Sequence, residues 1–243
     1  MIEAYLRHEA ERNAQGIPAL PLSAEQAKDL CQLLQNPPKG KEDFLLNLLK
    51  ERISPGVDPA AEVKAGFLGQ IIKGEIKSPL VAKKDAVKIL GTMIGGYNVA
   101  PLVEALKDKA LAEEAACALA GITLVYDAFD QVVELAKSNA AAKKVLKSWA
   151  DAEWFTNRKG VPETIKLKVF KVDGEINTDD FSPAGDAWSR PDIPLHALAM
   201  GKTRFPKGNA EIAQFRKDGF QVAFVGDVVG TGSSRKSACN SVL

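Results

Sequence analysis

Two stretches of this chain concentrate residue types that grip anions. The first is Gly226-Asp227-Val228-Val229-Gly230-Thr231-Gly232-Ser233-Ser234-Arg235. Gly226, Gly230 and Gly232 allow positive φ values and a close approach of backbone to a ligand. The paired hydroxyls of Ser233 and Ser234 can donate to that ligand, or one of them can be activated for proton transfer. Arg235 adds a planar fork of N–H donors that matches a carboxylate. If a helix opens near Ser233, its first amides point into the loop unpaired and its dipole favours an anion there. The plainer alternative is a strand-to-helix turn with a serine cap. Two nucleotide motifs are excluded. Thr231 stands where a Walker loop beginning at Gly226 needs its second glycine, and Arg235 stands where a dinucleotide fingerprint beginning at Gly230 needs its third.

The second stretch runs from Asn177-Thr178-Asp179-Asp180-Phe181-Ser182-Pro183 to Asp186-Ala187-Trp188-Ser189-Arg190-Pro191-Asp192-Ile193-Pro194-Leu195-His196. Paired acids and a single arginine lie in what reads as an irregular loop, where binding residues concentrate. A solvated turn built on Asn and Asp side chains has the same composition, so the residues alone leave both readings open.

The elements that must position these loops change character along the chain. Residues 1 to about 157 read as helix after helix. Ser23-Ala24-Glu25-Gln26 is a capping box, and the helix it opens carries Ala27, Leu30, Cys31, Leu33 and Leu34 at helical spacing. Phe44, Leu45, Leu48 and Leu49 mark a second stripe. Asp58-Pro59 caps a third helix, with Val63, Phe67, Ile71 and Ile72 expected inward and Gly66 weakening it unless a neighbour packs closely. Further helices are expected over 82–94, 99–108, 110–122, 126–138 and 140–155. No fixed repeat recurs, so an irregular, HEAT-like stack of paired helices is expected over 1–160, with a compact bundle as the alternative. After Arg158-Lys159-Gly160-Val161-Pro162 the pattern mixes strands and helices. Ile165–Val172 alternates as a strand, Asp173-Gly174 turns, Ala210–Lys217 reads as a helix, and Gln221–Val225 is a strand feeding the glycine loop. The fold class is therefore multidomain, α plus α/β, with a boundary near residue 160.

Bulk properties exclude several functions. Net charge is +1 and the basic and acidic residues balance on both sides of residue 160, so neither half is a polybasic module. The charged N-terminus is not a secretory signal, and no apolar run is long enough to span a membrane. Cys31, Cys117 and Cys239 lie far apart without C-x-x-C spacing. That argues for a reducing, cytoplasmic setting, with Cys31 and Cys117 as small buried apolar residues. It also offers no cysteine motif for a metal cluster.

The two loops resemble the swivel domain of aconitase-type hydratases, and the whole chain resembles the N-terminal portion of the bacterial aconitase B family. In the helical half the resemblance rests on Asn36-Pro37-Pro38 with Phe44-Leu45-Leu46, on Lys64–Leu68, on Leu90–Asn98 and on Ser148–Phe155. In the second half it rests on Asn177–Asp180, Asp186–Met200 and Gly226–Leu243. It implies a hydro-lyase that interconverts citrate and isocitrate through cis-aconitate in the tricarboxylic acid cycle, with 2-methylisocitrate as a further substrate of the group. It puts the proton-abstracting base on Ser233, substrate binding on Ser233, Ser234, Arg235 and Arg190, and a supporting acid on Asp179. It implies a 4Fe-4S cluster whose cysteine ligands lie in large domains C-terminal to the swivel domain of residues 161–243 and outside this chain, so no metal ligand is assigned here and Cys239 is not carried over as one. It also brings homodimerisation through the helical domain and mRNA binding as an alternative, regulatory function. A further alternative is a stand-alone small subunit like that of isopropylmalate isomerase, against which the long helical N-terminus argues. Because the chain stops in the middle of what reads as the next helix and the resemblance puts the cluster in domains it does not contain, it is expected to be a truncated fragment, inactive by itself.

Overall fold

The computed structural model describes residues 1–126 and 128–243. They divide into two compact units, Met1–Leu6 with Leu20–Lys159, and Arg7–Ala19 with Gly160–Leu243. Among the described residues no helix is long and apolar enough to cross a membrane.

The first unit is helical. Its order is α1 (Ile2–Asn13), whose later residues fall in the second unit, then α2 (Ala24–Gln35), α3 (Glu42–Glu51), α4 (Pro59–Lys73) and α5 (Lys83–Gly91). It continues through α6 (Val99–Ala105), α7 (Ala112–Ala120), α8 (Ala128–Ala136), α9 (Ala140–Ala150) and α10 (Glu153–Thr156). The capping box forms as the sequence predicts: Ser23 Oγ accepts from the Gln26 amide at 3.2 Å, and Gln26 Oε1 accepts from the Ser23 amide at 2.9 Å. Asp58 caps α4 through the Ala60 amide at 2.8 Å. Helices pack on close neighbours in the chain: α2 on α4, α4 on α5 and α6, α5 on α7, and α7 and α8 on α9.

Several expectations need correction here. The inward stripe of α4 does not include Val63, which is only half-buried. Phe67, Ile71 and Ile72 are buried as expected, and Ala60, Ala61, Lys64, Ala65, Leu68 and Gly69 are buried with them, because α2, α5 and α6 surround the helix. Lys64 is 1% exposed, and burial pushes its amine down to about 8 while Glu51 opposes the shift. Its Nζ lies 3.5 Å from the Lys50 carbonyl oxygen in the last turn of α3, where a cation meets the negative end of the dipole. Cys31 is buried as expected, but Cys117 is exposed. The run 140–155 breaks at Ala152, which takes φ 53 between α9 and α10. Within 126–138, Asp127 lies outside the described residues.

The second unit holds β1 (Leu167–Lys171) and β2 (Glu175–Asn177), then α11 (Thr178–Phe181), a 3-10 turn over Ala184–Ser189, α12 (Ile193–Ala197) and α13 (Gly208–Lys217). β3 (Gln221–Val225), β4 (Val228–Thr231) and α14 (Lys236–Val242) complete it. The strands pair parallel, β1 with β3 and β2 with β4, so the helical stretch between β2 and β3 acts as a crossover. Phe170 sits opposite Phe224 in the first pair, and both meet Phe205 while Phe224 also meets Phe181 edge-on at 5.5 Å. With Val172, Ile176, Met200 and Ile212 these rings form the core that anchors the loops on either side of it. The stretch from Asn177 to Pro194 is thus less irregular than the sequence suggests, since it contains three short helical turns.

Two glycines make opposite predictions for stability. Gly66, exposed on α4, has open space where a Cβ would stand. Gly66→Ala is expected to stabilise the chain by about 0.5–1 kcal/mol, because only the helix-propensity cost of glycine is removed. At Gly95 a Cβ would overlap the Gly56 backbone, where Ile94 donates to the Pro55 carbonyl at 2.9 Å. Gly95→Ala is expected to cost about 1–3 kcal/mol. Urea unfolding of the two variants checks both signs.

Candidate functional site

The site grows from the N-cap of α11. Asn177 Oδ1 accepts from the amides of Asp179 and Asp180 at 2.8 and 3.0 Å, and Asp180 Oδ2 accepts from the Asn177 amide at 2.9 Å. That reciprocal cap uses Asp180 and leaves the Asp179 carboxylate exposed. On the other side of the crossover, Gly230 lies within β4 and Gly232 just after it, with φ 84 and 90. A Cβ on Gly232 would stand 3.3 Å from Thr178 Oγ1, so the chain passes directly over α11. Gly226 works differently from its two partners. Its φ is not positive, and it is small because Ile176 and the Gly174 carbonyl press within about 3.1 Å of where a Cβ would be.

This crossing delivers Arg235 to α11. Its Nη1 pairs with Asp179 Oδ1 and donates to the Ser182 carbonyl at 3.1 Å. The Ser182 hydroxyl is fully buried and lies 2.8 Å from His196 Nε2 and 2.7 Å from Ser237 Oγ in α14. Arg190 Nε donates to the same hydroxyl oxygen at 3.3 Å. The His196 ring, 1% exposed, is held from its other side by Ser189 Oγ, 2.7 Å from Nδ1. α12, which carries His196, is itself anchored. Asp192 Oδ1 accepts from the Leu195 amide at 3.2 Å, and the Asp192 carboxylate takes a two-pronged pair from Arg12 at 2.6 and 2.9 Å.

Both arginines keep donors in reserve. Among the described residues, Arg235 uses only Nη1 and Arg190 uses only Nε. The Nε/Nη2 edge of Arg235 can receive a carboxylate side-on, and the Nη1/Nη2 edge of Arg190 can receive one end-on. The hydrogen bond from Arg235 holds the Asp179 carboxyl below the usual carboxylate range, with desolvation opposing and Arg190 adding to the effect. Arg12 does the same for Asp192.

The site residues expected from sequence divide into two groups. Asp179, Arg190 and Arg235 are brought together around Ser182. Ser233 and Ser234 are exposed, and among the described residues neither hydroxyl joins the network. The helix expected near Ser233 begins at Lys236, with Arg235 at the cap position, because residues 228–231 are drawn into β4 and Gly232–Arg235 must cross α11. The amides of Ser233 and Ser234 are therefore loop amides and not a helix N-terminus. Sequence reasoning gave no role to Ser182, Ser189, His196 or Ser237. The available signal was a histidine with two serines, Ser182 and Ser189, in a stretch otherwise rich in acids.

The residues of this chain do not fit an iron-sulfur cluster. Cys31 is buried, and desolvation pushes its thiol up to about 12, away from the thiolate a metal requires. Cys117 and Cys239 are exposed and belong to different units. Among the described residues no three His, Cys, Asp or Glu side chains gather to hold a metal ion.

Fold and site together define a class: a helical unit joined to an α/β unit whose parallel strands bring two arginines to one buried serine. The family model for the aconitate B N-terminal domain matches residues 4–155, and that for the aconitate hydratase 2 N-terminus matches residues 167–243. The chain belongs to the aconitase B family. It is 56% identical over its whole length to a protein of Synechocystis named aconitate hydratase B. Proteins of the same name from Pseudomonas aeruginosa and Escherichia coli are 58% and 56% identical, again over all of this chain. The chain spans 28–29% of the length of these relatives.

The Arg12–Asp192 pair yields a pH-resolved prediction. Both side chains are mostly buried, so Asp192→Asn leaves the Arg12 guanidinium with an uncompensated charge. It is expected to cost about 1–3 kcal/mol at neutral pH. A carboxyl depressed on folding stabilises the fold above its unfolded value and loses that effect as pH falls through its folded value. The gap between the Asp192→Asn variant and the unsubstituted chain should therefore close on acidification, as followed by denaturant midpoints.

Proposed function

We propose that this chain supplies part of the substrate site of an aconitate hydratase that interconverts citrate and isocitrate through cis-aconitate, with 2-methylisocitrate as a further substrate. The observation that carries the reading is the pair of guanidiniums at Ser182, each with an unused donor edge. A tricarboxylate needs several fixed cationic forks, and two arginines held by one buried residue supply two of them. In this reading Arg235 and Arg190 bind substrate carboxylates. Asp179 holds Arg235 in place without consuming its free edge. Ser234 donates to the substrate, and Ser233, at the exposed tip of the loop, takes the substrate proton. A serine hydroxyl is a weak base, so this step requires donors that stabilise its alkoxide. The activity belongs to a protein of the relatives' length, and the 4Fe-4S cluster of the family draws its ligands from residues other than these. We read the two units as a HEAT-like stack and a swivel domain. The successive packing of α2, α4, α5, α7 and α9 supports the first label, and the parallel-paired α/β unit supports the second.

The test is kinetic. In a polypeptide of the relatives' length that carries these residues, Ser233→Ala should lower kcat by about 10²–10⁴-fold. Arg235→Lys keeps the charge but loses the fork, and should lower kcat/KM for citrate by about ten- to a hundredfold. Full activity in both variants, measured as cis-aconitate formed from citrate, would remove these residues from the site. The 243-residue chain alone, supplied with iron and sulfide, should form no cis-aconitate.

A further inference from the structure

Proton counting around Ser182 assigns a direction to each hydrogen bond. Ser189 Oγ donates its one proton to the Asp186 carbonyl at 2.7 Å. At its 2.7 Å contact with His196 it must therefore accept, and Nδ1 carries the ring proton. In a neutral imidazole Nε2 is then the acceptor, so the Ser182 hydroxyl donates to His196 at 2.8 Å. With its proton committed, Ser182 Oγ must accept at its other two contacts, from the Ser237 hydroxyl at 2.7 Å and from Arg190 Nε at 3.3 Å.

We propose that His196 is a positioning residue for the arginine pair, acting through Ser182. Among the described residues its ring hydrogen-bonds to Ser182 and Ser189 and to neither arginine. Its ring fixes the rotor of the Ser182 hydroxyl so that lone pairs face Arg190 and Ser237. It also restrains the residue whose carbonyl receives Arg235. Without an acceptor at Nε2, the Ser182 proton turns to Ser237 Oγ, which can accept it, whereas Arg190 is a donor. The lone pairs then rotate, and Arg190 loses its buried anchor. The helix that carries the ring is pinned by the Arg12–Asp192 pair, so the imidazole is held at both its edges and at its backbone.

The effect on substrate rests on the hydratase reading above, so the experiment has two arms. Two substitutions separate the ring's edges: Gln can place its amide oxygen near the position of Nε2, whereas Asn reaches only the position of Nδ1. In the 243-residue chain, ¹⁵N spectra should show His196 protonated at Nδ1. The Arg190 Nε–H signal should move in His196→Asn and return toward its original position in His196→Gln. In a protein of the relatives' length, His196→Asn should raise KM for citrate by at least about tenfold with a smaller change in kcat, and His196→Gln should restore most of it. A merely structural histidine would lower stability in both variants without this split. Equal damage from Gln and Asn, an unmoved Arg190 signal in the Asn variant, or an Nε2-protonated ring would overturn the proposal. If the unsubstituted long protein does not turn over citrate, the hydratase reading falls, and the ring and guanidinium signals alone decide the positioning role.

Discussion

A buried serine hydroxyl has one proton and two lone pairs to place, and at Ser182 all three are engaged. The site depends on that saturation. Ser182 is fully buried, so an unmade bond would leave a polar atom without solvent to replace its partner. Its neighbours come from separate parts of the fold: Arg190 and His196 flank the start of α12, Ser237 lies in α14, and Arg235 reaches the Ser182 carbonyl from the loop before α14. Each contact restricts the others, because the direction of one hydrogen bond dictates the directions of the rest. The guanidiniums consequently have defined poses before any ligand arrives. Preorganisation of this kind is what a carboxylate-binding site requires.

The scaffold brings these parts together through parallel pairing. Parallel strands require a long crossover, and the crossover from β2 to β3 contains Asp179, Ser182, Arg190 and His196. β4 then returns beside β2, and Gly232 lets the chain pass over Thr178 at a distance that a side chain would close. The Phe170, Phe181, Phe205 and Phe224 rings hold the two strand pairs and α11 to one core. Thus residues more than 50 positions apart in sequence meet because of strand order, not because of local motif geometry.

Much of the local structure was legible in the sequence. The Ser23 capping box, the Asp58-Pro59 helix start and the β1 and β3 strands are dictated by short-range rules, and they form where those rules put them. The Ser-Ser-Arg loop stands out in the sequence as a candidate anion grip, and its Arg235 does meet Asp179. What was not legible depends on distant partners. Lys64 is buried because three helices surround α4. Arg12 pairs with Asp192 across 180 residues. The helix after the glycine loop starts at Lys236, later than the cap pattern suggested, because the strand pairing of 228–231 takes precedence over local propensity. Ser182 and His196 looked like ordinary members of an acid-rich loop. Their significance lies in which way their protons point, and only assembled neighbours determine that.

The central claim is that Ser182 presents two arginine edges to one polycarboxylate ligand. Arginine side-chain ¹⁵N NMR of the chain, titrated with citrate, tests it most directly. The account predicts that the Nε–H signals of Arg190 and Arg235 shift together and saturate at the same citrate concentration. Saturation of one arginine without the other, or no response from either in a folded chain, would contradict it.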